Sequence, residues 1–155
     1  ERQVGQMVRL IDDLLDVSRI TTGKLRVQPE PTTLGAVLEA AVEISWPALD
    51  KARVRFTTSV PAEPLPIDGD RVRLAQVFSN LLNNAAKYTP EGGAVTLTAA
   101  RDGDEAVAEV GDTGVGIPPE VLPHVFDLFT QVDRTLNRSQ GGLGIGLALV
   151  HRLVE

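Results

Sequence analysis

Apolar residues recur at Val4, Met7, Ile11 and Leu14, with Ser18 the polar exception at the next seam position. That is heptad spacing, and no proline interrupts it before Gly23, a residue suited to ending a helix. The pattern predicts a helix from Glu1 to about Thr22. So short a seam fits two arrangements, an amphipathic helix packed on its own domain or one arm of a helical bundle. Leu25 to Gln28 reads as a short strand before Pro29 and Pro31. Thr32 or Thr33 can cap a helix running to about Leu49, with Leu34, Val37, Leu38, Ala41 and Val42 on one face. Val54, Phe56, Thr58 and Val60 alternate with polar residues, as a strand requires. Pro61, Pro64, Pro66 and Gly69 predict a loop, and Asp70 caps a further helix to about Lys87. Thr89-Pro90 and Gly92-Gly93 break that helix. Two strands follow, Ala94–Ala100 and Glu105–Val110, joined by a linker of hairpin composition, Arg101 to Asp104. A Gly-rich stretch comes next, with short helical pieces around Pro119–Leu122 and Val125–Leu128. Helical spacing returns from Gly144 to Val154. The order predicts an α+β fold, with helices layered on one sheet and antiparallel strand pairs.

Composition narrows the picture without changing it. The 155 residues are 43% apolar and 23% charged, which suits one packed domain, or one domain with a short appendage. With no cysteine, a disulfide framework, a thiolate zinc site and a cysteine nucleophile are excluded. A net charge of −6 argues against life on nucleic acid, where a basic surface is needed. No run of 18 apolar residues spans a membrane, and no charged-then-apolar leader opens the chain. The chain begins on Glu1 rather than Met and closes inside an apolar helical pattern, so we expect a piece of something longer.

The candidate chemistry lies in three places. Half of the 14 glycines fall in two clusters, Gly111/Gly114/Gly116 and Gly141/Gly142/Gly144/Gly146. The second opens onto a helix, whose first N–H groups and positive dipole end suit phosphate. It lacks the Lys-Ser/Thr ending of a P-loop and does not follow a strand, and a pair of glycine-rich turns is the alternative. On the helix from Asp70, Leu74, Phe78, Leu81, Leu82 and Ala85 form one face, while Asn80, Asn84 and Lys87 lie opposite with Tyr88 at the margin. Asn80 and Asn84 are one turn apart, and their amide oxygens are hard ligands suited to a magnesium ion carried by phosphates. Lys87 is a turn further on, within reach of a phosphate. A solvated polar face fits the same spacing. Asp112 stands at the end of a strand before two glycines, where a carboxylate can accept a hydrogen bond from a base amino group. A structural turn is the alternative.

Four segments in order, QVFSNLLNNAAKYTP, VGDTGVGIPP, VFDLFTQVD and GGLGIGLAL, resemble the N, G1, F and G2 boxes of sensor histidine kinases. These kinases belong to a wider ATPase group with gyrase, the heat-shock chaperone and the mismatch-repair ATPase. LIDDLLDVSRITTGKL is similar to the second helix of the family's dimerisation and phosphotransfer domain. The resemblance covers nearly the whole chain. It implies a two-layer α/β sandwich of the Bergerat type at residues 25–155, truncated at its C-terminus, preceded at residues 1–24 by a bundle helix. It also implies ATP and Mg2+ as ligands. By resemblance Asn84 binds the magnesium, and Asn80 positions the reacting phosphate and assists as a metal ligand. Lys87 and Tyr88 line the nucleotide site. Asp112 reads the adenine amino group, with Gly114, Gly116 and Ile117 around it. Phe126 and Phe129 belong to the F box, at the base of a lid running from about Thr130 to Gly142. Thr130 and Gln131 would contact nucleotide there, as would Gly142, Leu143, Gly144, Gly146 and Leu147 of the G2 box.

The sequence departs from the family pattern in two respects. Gln131 stands where many relatives carry Arg, so Arg134, Arg138 and Lys87 are the candidate cations for the terminal phosphate. The family transfers the γ-phosphoryl of ATP to a histidine on the first bundle helix, and no residue here matches it. His124 and His151 lie outside the acceptor context and read as structural or surface residues. The resemblance therefore implies a fragment that binds Mg-ATP without phosphorylating itself. The partners implied are the histidine-bearing dimerisation domain of the same parent, a response-regulator receiver domain and a second copy of the parent. The parent's location would be cytoplasmic in this portion, with or without an upstream membrane anchor. Three other readings differ in class: a nucleotide-binding regulatory module of a kinase-inactive parent, a related anti-sigma serine kinase, and a purely structural α+β adaptor.

Overall fold

The computed structural model describes residues 7, 11, 14–16, 18, 26–130 and 144–154. It divides into two units, Val27–Gly116 and a second comprising Glu1–Arg26 with Ile117–Glu155.

In the first unit, β1 (Glu30–Thr33) leads into α1 (Leu34–Ala52). β2 (Arg55–Ser59), β3 (Pro66–Gly69) and α2 (Arg71–Tyr88) follow, then the hairpin of β4 (Ala94–Asp102) and β5 (Glu105–Asp112). A three-stranded sheet runs in the order β2-β4-β5, and a separate pair joins β1 to β3. Capping starts both helices. Thr33 Oγ1 accepts from Ala36 N, and the Asp70 carboxylate accepts from Val72 N and Arg73 N. Arg53, in left-handed conformation at φ 53°, ends α1.

The core fills the space between the two helices and one face of the sheet. Val95, Leu97 and Ala99 alternate inward from β4, facing Leu34, Leu38, Ala41 and Leu49 of α1 and Leu82, Ala85 and Ala86 of α2. Ala106, Ala108 and Val110 extend the layer from β5. This is a helix layer on a sheet layer, as the α+β expectation requires.

Several local expectations are corrected. The first strand is Glu30–Thr33, while residues 26–29 are coil. Pro31 is tolerated because β1 belongs to a two-stranded pair and always has one open side. The stretch expected as loop contains β3, its antiparallel partner. β2 stops at Ser59, one residue short of Val60, and pairs with β4 in parallel. β4 and β5 form the expected antiparallel hairpin, with Leu97 opposite Val110. α1 continues past Pro47 to Ala52. On α2 the buried residues include Ala75, Val77, Ser79 and Ala86, whereas Leu74 and Leu81 are half-buried. Small residues win the contact because α1 comes close, near enough for Ser45 Oγ to donate to Ser79 O at 3.4 Å.

In the second unit, residues 7, 11, 14–16 and 18 are helical, as the heptad pattern predicts. Met7, Ile11 and Leu14 are exposed and Asp16 is buried. Beyond Ile117 the two expected helical pieces reduce to turns around a single 3-10 turn, Leu122–His124. α3 (Gly146–Val154) buries Ala148, Leu149 and Val150. No helix among the described residues is long and apolar enough to cross a membrane.

Candidate functional site

α2 and the turn after β5 are brought together by backbone bonds. β5 ends at Asp112, whose Oδ1 accepts from Gly114 N at 2.8 Å and closes a tight turn. Val115 N then donates to Tyr88 O, the last carbonyl of α2, at 3.1 Å. Thr113 N donates to Ala94 O, and Ala94 N donates back to Thr113 Oγ1 at 2.9 Å. The Asp112 turn is thus tied on one side to the hairpin and on the other to α2.

Gly114 is dictated by this closeness. A Cβ there would lie 2.5 Å from Tyr88 O and 2.6 Å from Asp112 Oδ1, so no side chain fits. The glycine at position 114 of the VGDTGVG segment therefore has a steric cause. Asp112 itself is exposed, and Gly114 N takes only its Oδ1. Its other oxygen can accept a donor from outside.

On α2, Asn80 and Asn84 are half-buried rather than solvated, and Tyr88 is exposed. Lys87 Nζ lies 4.7 Å from the centre of the Tyr88 ring, a cation–π contact that holds the charge near the helix end. Asn80 Nδ2 is buried without a hydrogen-bond partner, as is Thr89 Oγ1, the two such side-chain atoms among the described residues. An unsatisfied buried donor costs roughly 1–3 kcal/mol, which a ligand supplying an acceptor would recover. That orphaned amide, the neighbouring Asn84 amide and the free side of Asp112 fit a nucleotide phosphate with its magnesium and an adenine amine. Among the described residues no group of three or more His, Cys, Asp or Glu could hold a metal ion.

In the second unit, Phe129 and Gly144 form a pinch. Phe129 N donates to Gly144 O at 3.0 Å, and both residues are left-handed, at φ 65° and 70°. A Cβ on Gly144 would meet Thr130 O at 2.6 Å. Gly146 and Leu147 stand in the first turn of α3, where backbone N–H groups lack intrahelical acceptors. Ile117 is exposed. Gln131, Gly142, Leu143, Arg134 and Arg138 lie outside the described residues. Phe126 stacks on His151 with ring centres 4.8 Å apart, and His124 Nδ1 lies 2.9 Å from Asp127 Oδ2.

Sequence reasoning passes over Thr113 and Gly93. Gly93 reads only as a helix breaker, yet a Cβ there would lie 2.4 Å from Thr89 Cγ2 and 3.2 Å from Thr113 Oγ1. The available signal is its position, immediately before the strand that pairs with the Asp112 segment.

Comparison with known proteins bears on the family and the fold. The family model for histidine kinase-, DNA gyrase B-, and HSP90-like ATPases matches residues 69–155. The chain is 34% identical to sensor protein GacS of Pseudomonas syringae pv. syringae over 160 residues, covering 100% of this chain and 18% of GacS. Among solved structures, Acinetobacter baumannii histidine kinase AdeS aligns with a TM-score of 0.76 and 27% identity, over 99% of this chain and 68% of that chain. Full-length ShkA in complex with AMPPNP aligns with a TM-score of 0.76 and 33% identity, over 96% of this chain and 30% of that one. The chain spans about a fifth of the length of the curated relatives it matches at this level.

Proposed function

The chain belongs to the histidine kinase-, DNA gyrase B-, and HSP90-like ATPase family, and on that premise we propose that it binds Mg-ATP as the catalytic portion of a sensor histidine kinase. The γ-phosphoryl goes to a histidine on a dimerisation domain of the same parent, for relay to an aspartate of a response regulator. The observation that carries the reading is the Asp112 turn, pinned to the end of α2 with one carboxylate oxygen left over.

In this reading Asp112 accepts a hydrogen bond from the adenine amine. Asn84 offers its amide oxygen to the cation, and Asn80 positions the phosphate. Lys87 supplies positive charge and Tyr88 lines the pocket. Gly114 and Gly116 leave room for the base, beside Ile117. Phe129, Thr130, Gln131, Gly142, Leu143, Gly144, Gly146 and Leu147 carry the phosphate-side roles that their motifs imply. Magnesium, when bound, neutralises phosphate charge. What this protein adds is position and fixed dipoles, which are most of what phosphoryl transfer asks of an enzyme. The nucleophile is supplied by the acceptor imidazole.

The deciding experiment is calorimetric titration with a non-hydrolysable ATP analogue, with and without magnesium. Magnesium-enhanced binding is expected. Asn84→Ala should lose the magnesium-dependent increment while keeping the rest. A folded protein that binds no nucleotide would overturn the proposal, and equal magnesium dependence in both proteins would remove Asn84 from the metal site.

A further inference from the structure

The first unit begins at Val27, and Gln28 is the second residue inside it. Gln28 N donates to Asp70 Oδ2 at 3.1 Å across 42 positions of sequence. The other oxygen, Oδ1, accepts from Val72 N and Arg73 N, each at 3.1 Å, and caps α2. The two oxygens have divided the work, one for the helix and one for the incoming chain. The β1–β3 ladder starts beside this point, with Glu30 opposite Gly69. The Gln28–Asp70 bond is therefore one further rung, made by a side chain. At the far end of the same segment, Leu34 N donates to Leu65 O at 2.8 Å. Residues 28–34 are fastened along their length, and Asp70 holds their first bonded point.

We propose that Asp70 is a positioning residue that couples the incoming chain at Gln28 to the first turn of the helix carrying Asn80, Asn84 and Lys87. A displacement of the chain at Val27 is transmitted to Gln28, which is bonded to Asp70 Oδ2. From there it passes through one carboxylate to the cap of α2. The clamp is read from the distances, and its consequence for nucleotide rests on the reading of α2 given above. Coupling of this kind is reciprocal, so nucleotide bound on α2 must also tighten Gln28.

Asp70→Asn separates the two roles. Asparagine caps as well as aspartate, so its oxygen keeps the bonds to Val72 and Arg73. Its amino group then faces Gln28 N, donor against donor, and the rung is lost. Residue-resolved amide exchange and the rate of tryptic cleavage after Arg26 are the readouts. In Asp70→Asn, exchange at Gln28 should quicken about five- to tenfold, the worth of one net hydrogen bond. Cleavage after Arg26 should quicken with it, while the α2 amides beyond Leu74 lose less protection than Gln28. AMP-PNP should slow exchange at Gln28 in the wild type and leave it unaltered in Asp70→Asn. Asp70→Ala should loosen both Gln28 and the first turn of α2.

Unchanged exchange at Gln28 in Asp70→Asn would overturn the proposal. So would equal loss of protection at Gln28 and along α2, which marks a cap and nothing more. A wild type that binds AMP-PNP without slowing Gln28 would break the coupling. A wild type that binds no AMP-PNP at all would instead sink the nucleotide reading, so the two failures are told apart.

Discussion

Asp112 and Gly114 show how closely chemistry and sterics are joined at the candidate site. The carboxylate bonds Gly114 N through one oxygen and keeps the other for a ligand. Asp112→Asn replaces one of the two acceptors by a donor. If the remaining oxygen still serves Gly114 N, an amino group faces the adenine amine. Nucleotide affinity should fall by roughly 1–3 kcal/mol, about five- to 150-fold, with the fold intact. Calorimetry on a variant of unchanged melting temperature checks this, and undiminished affinity would remove Asp112 from base recognition. Gly114→Ala tests the steric half. With Tyr88 O only 2.5 Å from the new Cβ, the turn must shift, at a cost of about 1–3 kcal/mol. The urea midpoint should drop and nucleotide affinity with it. A variant as stable as the wild type would show that the turn has slack.

Among the elements, α2 carries the largest share of the candidate site and is anchored by its cap. Burial pulls the Asp70 carboxyl upward. The backbone N–H groups of Gln28, Arg73 and Val72, together with the Arg73 charge, outweigh that and hold it below the ordinary aspartate value. A carboxyl lowered in the folded state stabilises the fold fully above its unfolded value, near 3.9. That contribution is lost as pH falls through the lower folded value. Wild type and Asp70→Asn should therefore differ in urea midpoint at neutral pH and converge in acid. A constant gap down to the acid transition would contradict this. The N-cap is legible because Asp70 stands between a Pro/Gly loop and the first amphipathic turn. The buried face of α2 is less so. Hydrophobicity favours Leu74 and Leu81, but the close approach of α1 selects Ala75, Ser79 and Ala86 instead.

For the first unit as a whole, the central strand β4 carries the packing. Leu97 is fully buried, in the row that faces both helices. Leu97→Ala should cost about 2–5 kcal/mol, read as a lowered urea midpoint. A loss below about 1 kcal/mol would mean that the helices close over the gap. This architecture explains the composition. Two helices cover one sheet face, so β4 alternates buried Val95, Leu97 and Ala99 with Thr96 and Thr98 on the other face. The same alternation makes the hairpin legible in the sequence.

Local features of the chain are decided by local physics. The hairpin follows from alternation and a turn-forming linker, the helix starts from Thr33 and Asp70, and the family from four motifs in order. Each needs only neighbours in sequence, whose preferences act over one or two turns. What the tertiary structure decides lies between distant segments. The parallel pairing of β2 with β4 depends on the chain crossing over through α2. The β1–β3 pair unites two segments that separately read as loop or misplaced strand, because each becomes a strand only when the other supplies its hydrogen bonds. The link from Val115 N to Tyr88 O is of the same kind. Hydrophobic pattern records which side of an element is buried, but not which partner buries it or how near that partner comes.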